Sequence, residues 1–230
     1  MMLPLIAIDG PAGAGKSSTA REVARRLGIP YLDTGALYRA VAWHFGRRNV
    51  NLKSTSSVVK GINECRLFFA EGEAGTHVWV QDEEVTRRLR SRELTTRVGP
   101  VCEIPEVREW LVELQRRWAQ RGFGVIEGRD IGTVVLPGAA LKLFLTARPA
   151  VRAERRGREI GIAEDKAALT ELAAEIDRRD KRDAERSDAP MKPAEDAVIL
   201  DTSDLSFNDQ VQRVLNLAGE RFGLKIYGRN

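Results

Sequence analysis

The sequence predicts an α/β fold: a parallel sheet of about five short strands flanked by helices, with a small inserted lobe. Three observations carry this. Short apolar segments alternate with amphipathic helical ones, a pattern that builds parallel strands joined by right-handed crossovers. A glycine-rich loop at residues 10–17 joins the first strand to the first helix. Between about Gly46 and Pro100 the apolar residues thin out and a hairpin pattern replaces the alternation.

The elements follow in order. Residues 3–9 (LPLIAID) form an apolar strand ending in the glycine loop. Ser17 to Leu27 carries Ala20, Val23, Ala24 and Leu27, the spacing of a helix with one buried stripe. Gly28 ends it and Pro30 prevents its resumption. Residues 29–32 read as a second strand, and Asp33 or Thr34 as the cap of a helix running to about Phe45. In the inserted region, Arg66–Ala70 and His77–Val85 read as strands joined by EGEAG. Pro105 opens a helix with Val107, Trp110, Leu111, Leu114 and Trp118 on one face. Strands at 125–127, 141–145 and 198–201 follow, separated by helices. One helix shows Leu169, Leu172, Ala173 and Ile176, and the last shows Val211, Val214, Leu215 and Ala218. The expected organisation is core 1–45, lobe 46–100 and core 101–230.

Bulk properties narrow the class. The chain has 230 residues, 43% of them hydrophobic, enough for one core with a small lobe. No apolar run approaches the ~20 residues of a membrane span, and the N-terminus lacks a basic leader. Cys65 and Cys102 have no CxxC spacing, and His44 and His77 have no ligand-type neighbours. A structural metal and a disulfide framework are not expected, and a cytoplasmic setting is. Arginine outnumbers lysine 29 to 8. The arginines are mixed with carboxylates rather than laid out as a stripe with aromatics, so no nucleic-acid or membrane partner is expected.

Gly10-Pro11-Ala12-Gly13-Ala14-Gly15-Lys16-Ser17 fits the phosphate-binding P-loop, G-x-x-x-x-G-K-[ST]. Glycines let backbone N–H groups turn inward onto phosphate oxygens. Lys16 brings an ammonium to the β and γ phosphates, Ser17 offers a hydroxyl to Mg²⁺, and the helix start adds its dipole. A nucleoside triphosphate is the implied ligand. NKxD and a downstream DxxG, which would point to a GTPase, are absent from the sequence.

Two arginine-rich segments and a second glycine loop complete the inventory. Arg152, Arg155, Arg156 and Arg158 lie close together on one predicted helix. Residues 177–186 (DRRDKRDAER) alternate charge. Glu127-Gly128-Arg129-Asp130-Ile131-Gly132-Thr133 follows a strand, as the P-loop does. Loops at the carboxyl ends of strands line the ligand crevice in open α/β sheets. An arginine and carboxylates there suit a second phosphate and sugar hydroxyls.

With these pieces in place, the sequence resembles the bacterial cytidylate kinases. The resemblance rests on IDGPAGAGKSS, LDTGALYR, IPEVR, EGRDIGTVV, RRDKRDAERSDAP and ILDTS, in that order from near residue 5 to near 203. It implies phosphorylation of CMP or dCMP by Mg·ATP, an inserted lobe that covers the monophosphate, and a mobile lid at about 152–164. It implies that Gly10 to Ser18 (Gly10, Pro11, Ala12, Gly13, Ala14, Gly15, Lys16, Ser17, Ser18) hold ATP, with Arg155 and Arg156 over it. Thr34, Arg39, Arg108, Arg129, Asp130, Arg179, Asp183 and Arg186 are the implied acceptor residues. Among them Arg39, Arg129 and Arg186 hold the phosphate, Arg108 and Asp130 face cytosine, and Asp183 with Arg179 reaches the ribose. Lys16, Arg129 and Arg186 are the implied catalytic cations, and a monomer is expected. Two departures stand out: Gly99 replaces a base-contacting serine that is frequent in the family, and the lid segment is short. An AMP, UMP or non-nucleotide acceptor, and a regulatory or nucleic-acid-activated ATPase, are the alternatives.

Overall fold

Strand β1 (Leu5–Asp9) opens the chain and α1 (Lys16–Leu27) follows the glycine loop, burying Ala20, Val23 and Ala24. The computed structural model describes residues 4–72, 75–186 and 188–224. Next come β2 (Tyr31–Asp33), α2 (Thr34–Arg48) and α3 (Thr55–Asn63). A hairpin pairs β3 (Leu67–Gly72) with β4 (Gly75–Val80), and β5 (Glu83–Glu84) pairs back onto β4. Helices α4 (Arg92–Cys102) and α5 (Pro105–Ala119) lead to β6 (Gly124–Glu127) and β7 (Leu141–Thr146). Helices α6 (Pro149–Ile160) and α7 (Lys166–Ala184), β8 (Val198–Asp201) and α8 (Phe207–Phe222) complete the chain.

The main sheet has five strands in the order β2-β6-β1-β7-β8. β1 is central, parallel to β6 from Leu5↔Gly124 and to β7 from Ile6↔Leu141, and β7 is parallel to β8. A strand covered on both faces has to be apolar throughout, and Ile6, Ala7 and Ile8 are fully buried. The strand expected at 29–32 begins at Tyr31 because Pro30 has no N–H for the ladder; its carbonyl still accepts from Val125 N at 2.8 Å.

Two units divide the chain, Met1–Pro30 with Gly122–Asn230, and Tyr31–Arg121. The first has a core of Ile6, Ile8, Ile126, Leu143, Leu145 and Leu215. The second has the three-stranded antiparallel sheet β3-β4-β5 and a core that includes Leu37, Val78, Val80 and Leu111. Within it, Thr76 Oγ1 accepts from Asp33 N at 2.9 Å and lies 3.3 Å from Tyr31 O, tying β4 to the start of α2.

Three details depart from the sequence reading. The strand expected at His77–Val85 divides into β4 and β5, because Gln81 turns the chain with a φ of 59°. Helices α3 and α4 flank the expected strands, in stretches where the sequence reading assigns no element; Ser54 caps one by accepting from Ser57 N, and Ser91 caps the other by accepting from Leu94 N. The buried face of α5 runs through Val107, Arg108, Leu111, Val112, Gln115 and Trp118, so two polar residues take the places expected for Trp110 and Leu114. The hairpin turn expected from EGEAG includes residues 73 and 74, which lie outside the described residues; its flanking strands pair up to Gly72↔Gly75.

Candidate active site

The P-loop leaves β1 at Gly10, with a φ of 137°. A Cβ there would lie 1.9 Å from the Leu145 carbonyl oxygen, so β7 passes too close for any residue but glycine. Helix α1 starts at Lys16 with Gly15 in a left-handed conformation and no side-chain cap. Its first-turn N–H groups are therefore offered to a ligand, and the positive end of the helix faces the same way. Lys16 is buried and its Nζ donates to Pro11 O at 2.7 Å. Burial, and then the Arg129 charge, lower the Lys16 pKa to about 7 against the opposing pull of Glu127. A polyphosphate at Nζ reverses that shift. Ser18 Oγ donates back to Gly15 O at 3.0 Å, whereas Ser17 is exposed on the first turn.

Those donors fit Mg²⁺ as a nucleotide brings it. No group of three or more His, Cys, Asp or Glu residues among the described residues could hold a metal on its own. Mg²⁺ usually keeps several waters and binds through one or two protein groups plus substrate phosphates. The exposed Ser17 hydroxyl is such a group.

The second glycine loop lies beside the P-loop within the same unit. Asp9, the last residue of β1, accepts from Ile131 N at 2.8 Å and from Gly132 N at 2.7 Å. Residues 131–135 form one wide helical turn, with Val135 N on Asp130 O and Leu136 N on Ile131 O. Such turns recur at functional sites, and here the turn aims two consecutive N–H groups at Asp9. Burial raises the Asp9 carboxyl to about 6, against the two N–H bonds that lower it. Arg129 Nε donates to Asp183 Oδ2 at 3.0 Å, and Arg186 Nη2 donates to Asp183 Oδ1. Burial works against the Arg129 charge, but Asp183 and Asp180 outweigh it and hold the pKa above its ordinary value. Arg186 Nε is buried with no hydrogen-bond partner among the described residues. A buried donor of that kind has a place for an acceptor oxygen.

The residues expected at the site fall into three groups. In the first unit, Arg129, Asp183 and Arg186 meet directly; Asp130 is buried beside Asp9, and Arg179 lies close enough to lower the Lys16 pKa. In the second unit, Thr34 is the first residue of α2 and is buried. Asp33 provides the cap, accepting from Ala36 N and also from Arg39 Nη2 at 3.0 Å. Arg39 Nε is a second buried donor with no partner among the described residues, and Arg108 is buried on α5. The expected lid arginines diverge. Arg155 donates to Thr202 Oγ1 at 2.9 Å and to Thr202 O at 2.6 Å, while Arg156 turns to Glu159 on its own helix. Arg152 reaches the P-loop, donating to Ala12 O at 3.0 Å and pairing with Asp180.

Sequence reasoning passed over four contributors. Asp9 was a lone carboxylate ending an apolar strand. Asp180 was one charge among ten consecutive mostly charged residues; its Oδ1 accepts from Ala12 N at 3.1 Å. Thr202, in ILDTS, sits 3.2 Å from Ala14 O and is fully buried. Gln210 stands at the start of the buried face of α8, ahead of its apolar stripe, and donates to Thr19 Oγ1 and, at 3.4 Å, to Gly15 O. A polar residue heading a stripe of apolar ones was the available signal.

Comparison with known proteins gives a consistent result. The family model described as cytidylate kinase matches residues 6–220. The chain is 44% identical over 216 residues to a cytidylate kinase of Desulfitobacterium hafniense (strain Y51), covering 94% of this chain and 93% of that protein. It is also 44% identical over 226 residues to a bifunctional pantoate ligase/cytidylate kinase of Synechococcus sp. (strain JA-3-3Ab), covering 96% of this chain but only 42% of that protein. The chain thus spans less than half the length of such two-function relatives. Among solved structures, an uncharacterized protein from Eubacterium ventriosum ATCC 27560 superposes with a TM-score of 0.51 at 12% identity, covering 96% of this chain and all of that one, a likeness of fold alone.

Proposed function

The chain belongs to the cytidylate kinase family, and from that premise we propose that it transfers the γ-phosphoryl group of Mg·ATP to CMP or dCMP. The products are CDP or dCDP and ADP. One observation carries the reading: in a single unit, a P-loop lysine lies in the field of Arg129 and Arg179, and Arg129 and Arg186 share one carboxylate, Asp183. That is a donor-phosphate loop beside a cationic acceptor cluster.

The chemistry asks for positioning and charge neutralisation. A non-bridging oxygen of the CMP phosphate attacks the γ-phosphorus in line; the bond to the β–γ bridging oxygen breaks, and the electron pair leaves with ADP. The acceptor phosphate is already ionised, so no strong general base is needed. Lys16, Arg129 and Arg186 neutralise the developing charge. One well-placed arginine contributes ~10³ to 10⁵ in rate, roughly 4 to 7 kcal/mol. Mg²⁺ bound with ATP and held by Ser17 would add neutralising charge at the phosphates. Gly10 to Ser18 hold the ATP phosphates, with Arg155 and Arg156 on the ATP side. Arg39, Arg129 and Arg186 take the acceptor phosphate, Arg108 and Asp130 the base, and Asp183 with Arg179 the ribose; Thr34 completes this set. The protein works as a cytoplasmic monomer. A second reading, UMP as acceptor, draws on Gly99, which lies in α4 with no hydroxyl to offer a base.

The test compares ADP release with and without CMP, in wild type and in Arg186→Ala. CMP should raise ADP release by orders of magnitude in wild type. The variant should lose about 10³-fold in turnover and keep ATP affinity within about twofold. Equal loss of ATP affinity would put Arg186 on the donor phosphate instead.

A further inference from the structure

Helix α7 changes character along one face. Leu169, Leu172, Ala173 and Ile176 are followed, at the same three- and four-residue spacing, by Asp180 and Asp183. Residues so spaced share one side of a helix. Ile176, Asp180 and Asp183 are all buried. The stripe is apolar in its first half and acidic in its second, and an arginine from another element meets each carboxylate. Arg129 meets Asp183, and Arg152 of α6 meets Asp180.

Asp180 does more than pair. Its Oδ1 accepts from Ala12 N at 3.1 Å, while Arg152 Nη1 donates to Ala12 O at 3.0 Å and Arg152 Nε to Ala147 O at 3.0 Å. Both backbone groups of the third P-loop residue are thus held, one by α7 and one by α6. The next residue, Gly13, has a φ of 76°, and a Cβ on it would lie 2.8 Å from the Arg152 carbonyl oxygen and 2.9 Å from Arg152 Cβ. The preceding residue, Pro11, receives Lys16 Nζ. The clamp therefore fixes the stretch of loop on which the lysine rests.

Stability is a poor reason for this arrangement. Replacing a buried ion pair by apolar side chains is often neutral or stabilising. Geometry is a better one. Asp180 and Asp183 are three residues apart, about 5 Å between their Cβ atoms. One grips the donor loop and the other holds Arg129 and Arg186. The spacing between those two groups is set by a single turn of rigid helix.

We propose that Asp180, acting with Arg152, is a positioning residue for phosphoryl transfer. It registers the arginines held by Asp183 on the P-loop, so that binding of ATP and binding of CMP are coupled through α7. This rests on the kinase reading above. A misplacement of about 1 Å can lower rate by 10²-fold, and that is the scale expected when the clamp is removed.

The test uses the full chain as wild type, Asp180→Asn, Asp180→Ala, Arg152→Ala and the double alanine variant. Asp177→Asn serves as control, since Asp177 is exposed and, among the described residues, its ion pair is with Lys181 along the helix. Turnover is measured well below each melting temperature, and CMP affinity with and without a non-hydrolysable ATP analogue. Asp180→Ala should lose about 10²-fold in kcat, bind the analogue alone within a few-fold of wild type, and lose the tightening of CMP that the analogue produces. Asp180→Asn keeps an acceptor for Ala12 N but not the charge for Arg152, and should fall between. The double variant should lose no more than the worse single one, because the two act as a unit. The proposal is overturned if folded Asp180→Asn and Asp180→Ala keep kcat within twofold, if the coupling survives, or if the two losses multiply. If the alanine variant does not fold, the asparagine variant decides. A wild type that fails to phosphorylate CMP overturns the kinase reading, and the clamp with it; an active wild type with unaffected variants overturns the clamp alone.

Discussion

Replacing Asp9 by asparagine should remove one component of the protein's pH dependence. Asp9 is buried, both of its oxygens accept backbone N–H bonds from the second glycine loop, and its carboxyl titrates at about 6 instead of 3.8, chiefly because burial disfavours the charge. The folded state therefore holds this proton more tightly than the unfolded chain. The group's contribution to stability is fully present below about pH 4 and is lost as pH rises through about 6. Linkage sets the change between pH 5 and pH 7 at about 1.3 kcal/mol. Asparagine keeps the shape and one acceptor oxygen, but its NH₂ meets the other backbone donor, a penalty of ~1–3 kcal/mol that does not vary with pH. The gap in unfolding free energy between wild type and Asp9→Asn should thus be about 1.3 kcal/mol larger at pH 5 than at pH 7. Urea unfolding followed by tryptophan fluorescence at pH 5, 6 and 7 measures it. A gap that stays constant or narrows at pH 5 would refute the assignment of that proton to Asp9.

Three other outcomes are expected. Lys16, held at about 7 by burial and then by Arg129, is mostly neutral in the fold at pH 8; Mg·ATP should therefore bind with uptake of nearly one proton, and calorimetry in Tris and in phosphate should give different enthalpies at that pH, equal ones counting against a lysine–phosphate contact. Gly10→Ala should destabilise the fold by on the order of 3 kcal/mol or more, seen as a fall in melting temperature, because its Cβ would meet the Leu145 carbonyl at 1.9 Å. Thr202→Val keeps the shape but removes the hydroxyl between Arg155 and Ala14 O; it should cost ~1–3 kcal/mol in stability and raise the KM for ATP more than that for CMP.

The fold was legible where local rules decide it. The P-loop strand, loop and helix follow one another within residues 5–27, and the apolar stripes of α1 and α8 have simple periodicity. The inserted region is less legible. Helix α4 buries Leu94, Val98 and Val101, a short stripe hidden among polar residues, and α3 buries only Val58 and Gly61. Their capping serines were the signal. On α5, Arg108 and Gln115 occupy the buried face in place of Trp110 and Leu114, and no hydrophobicity pattern could say so. The P-loop was visible as a contiguous motif with a known chemistry for each residue type. Asp180 and Arg152 were visible only as charges in charged segments. Their meaning lies in contacts with Ala12, 168 and 140 residues away in the chain. Likewise Asp9 gained a role only when β1 was set beside a loop 122 residues later.

Acceptor preference tests phosphoryl transfer to a cytidine monophosphate most directly. Steady-state turnover with Mg·ATP across CMP, dCMP, UMP, AMP and GMP gives kcat/KM for each. CMP and dCMP should exceed the other three by roughly tenfold or more, since a site that hydrogen-bonds the base edge rejects a base with the wrong donors. Preference for UMP, AMP or GMP, or ADP release indifferent to the acceptor, would contradict it.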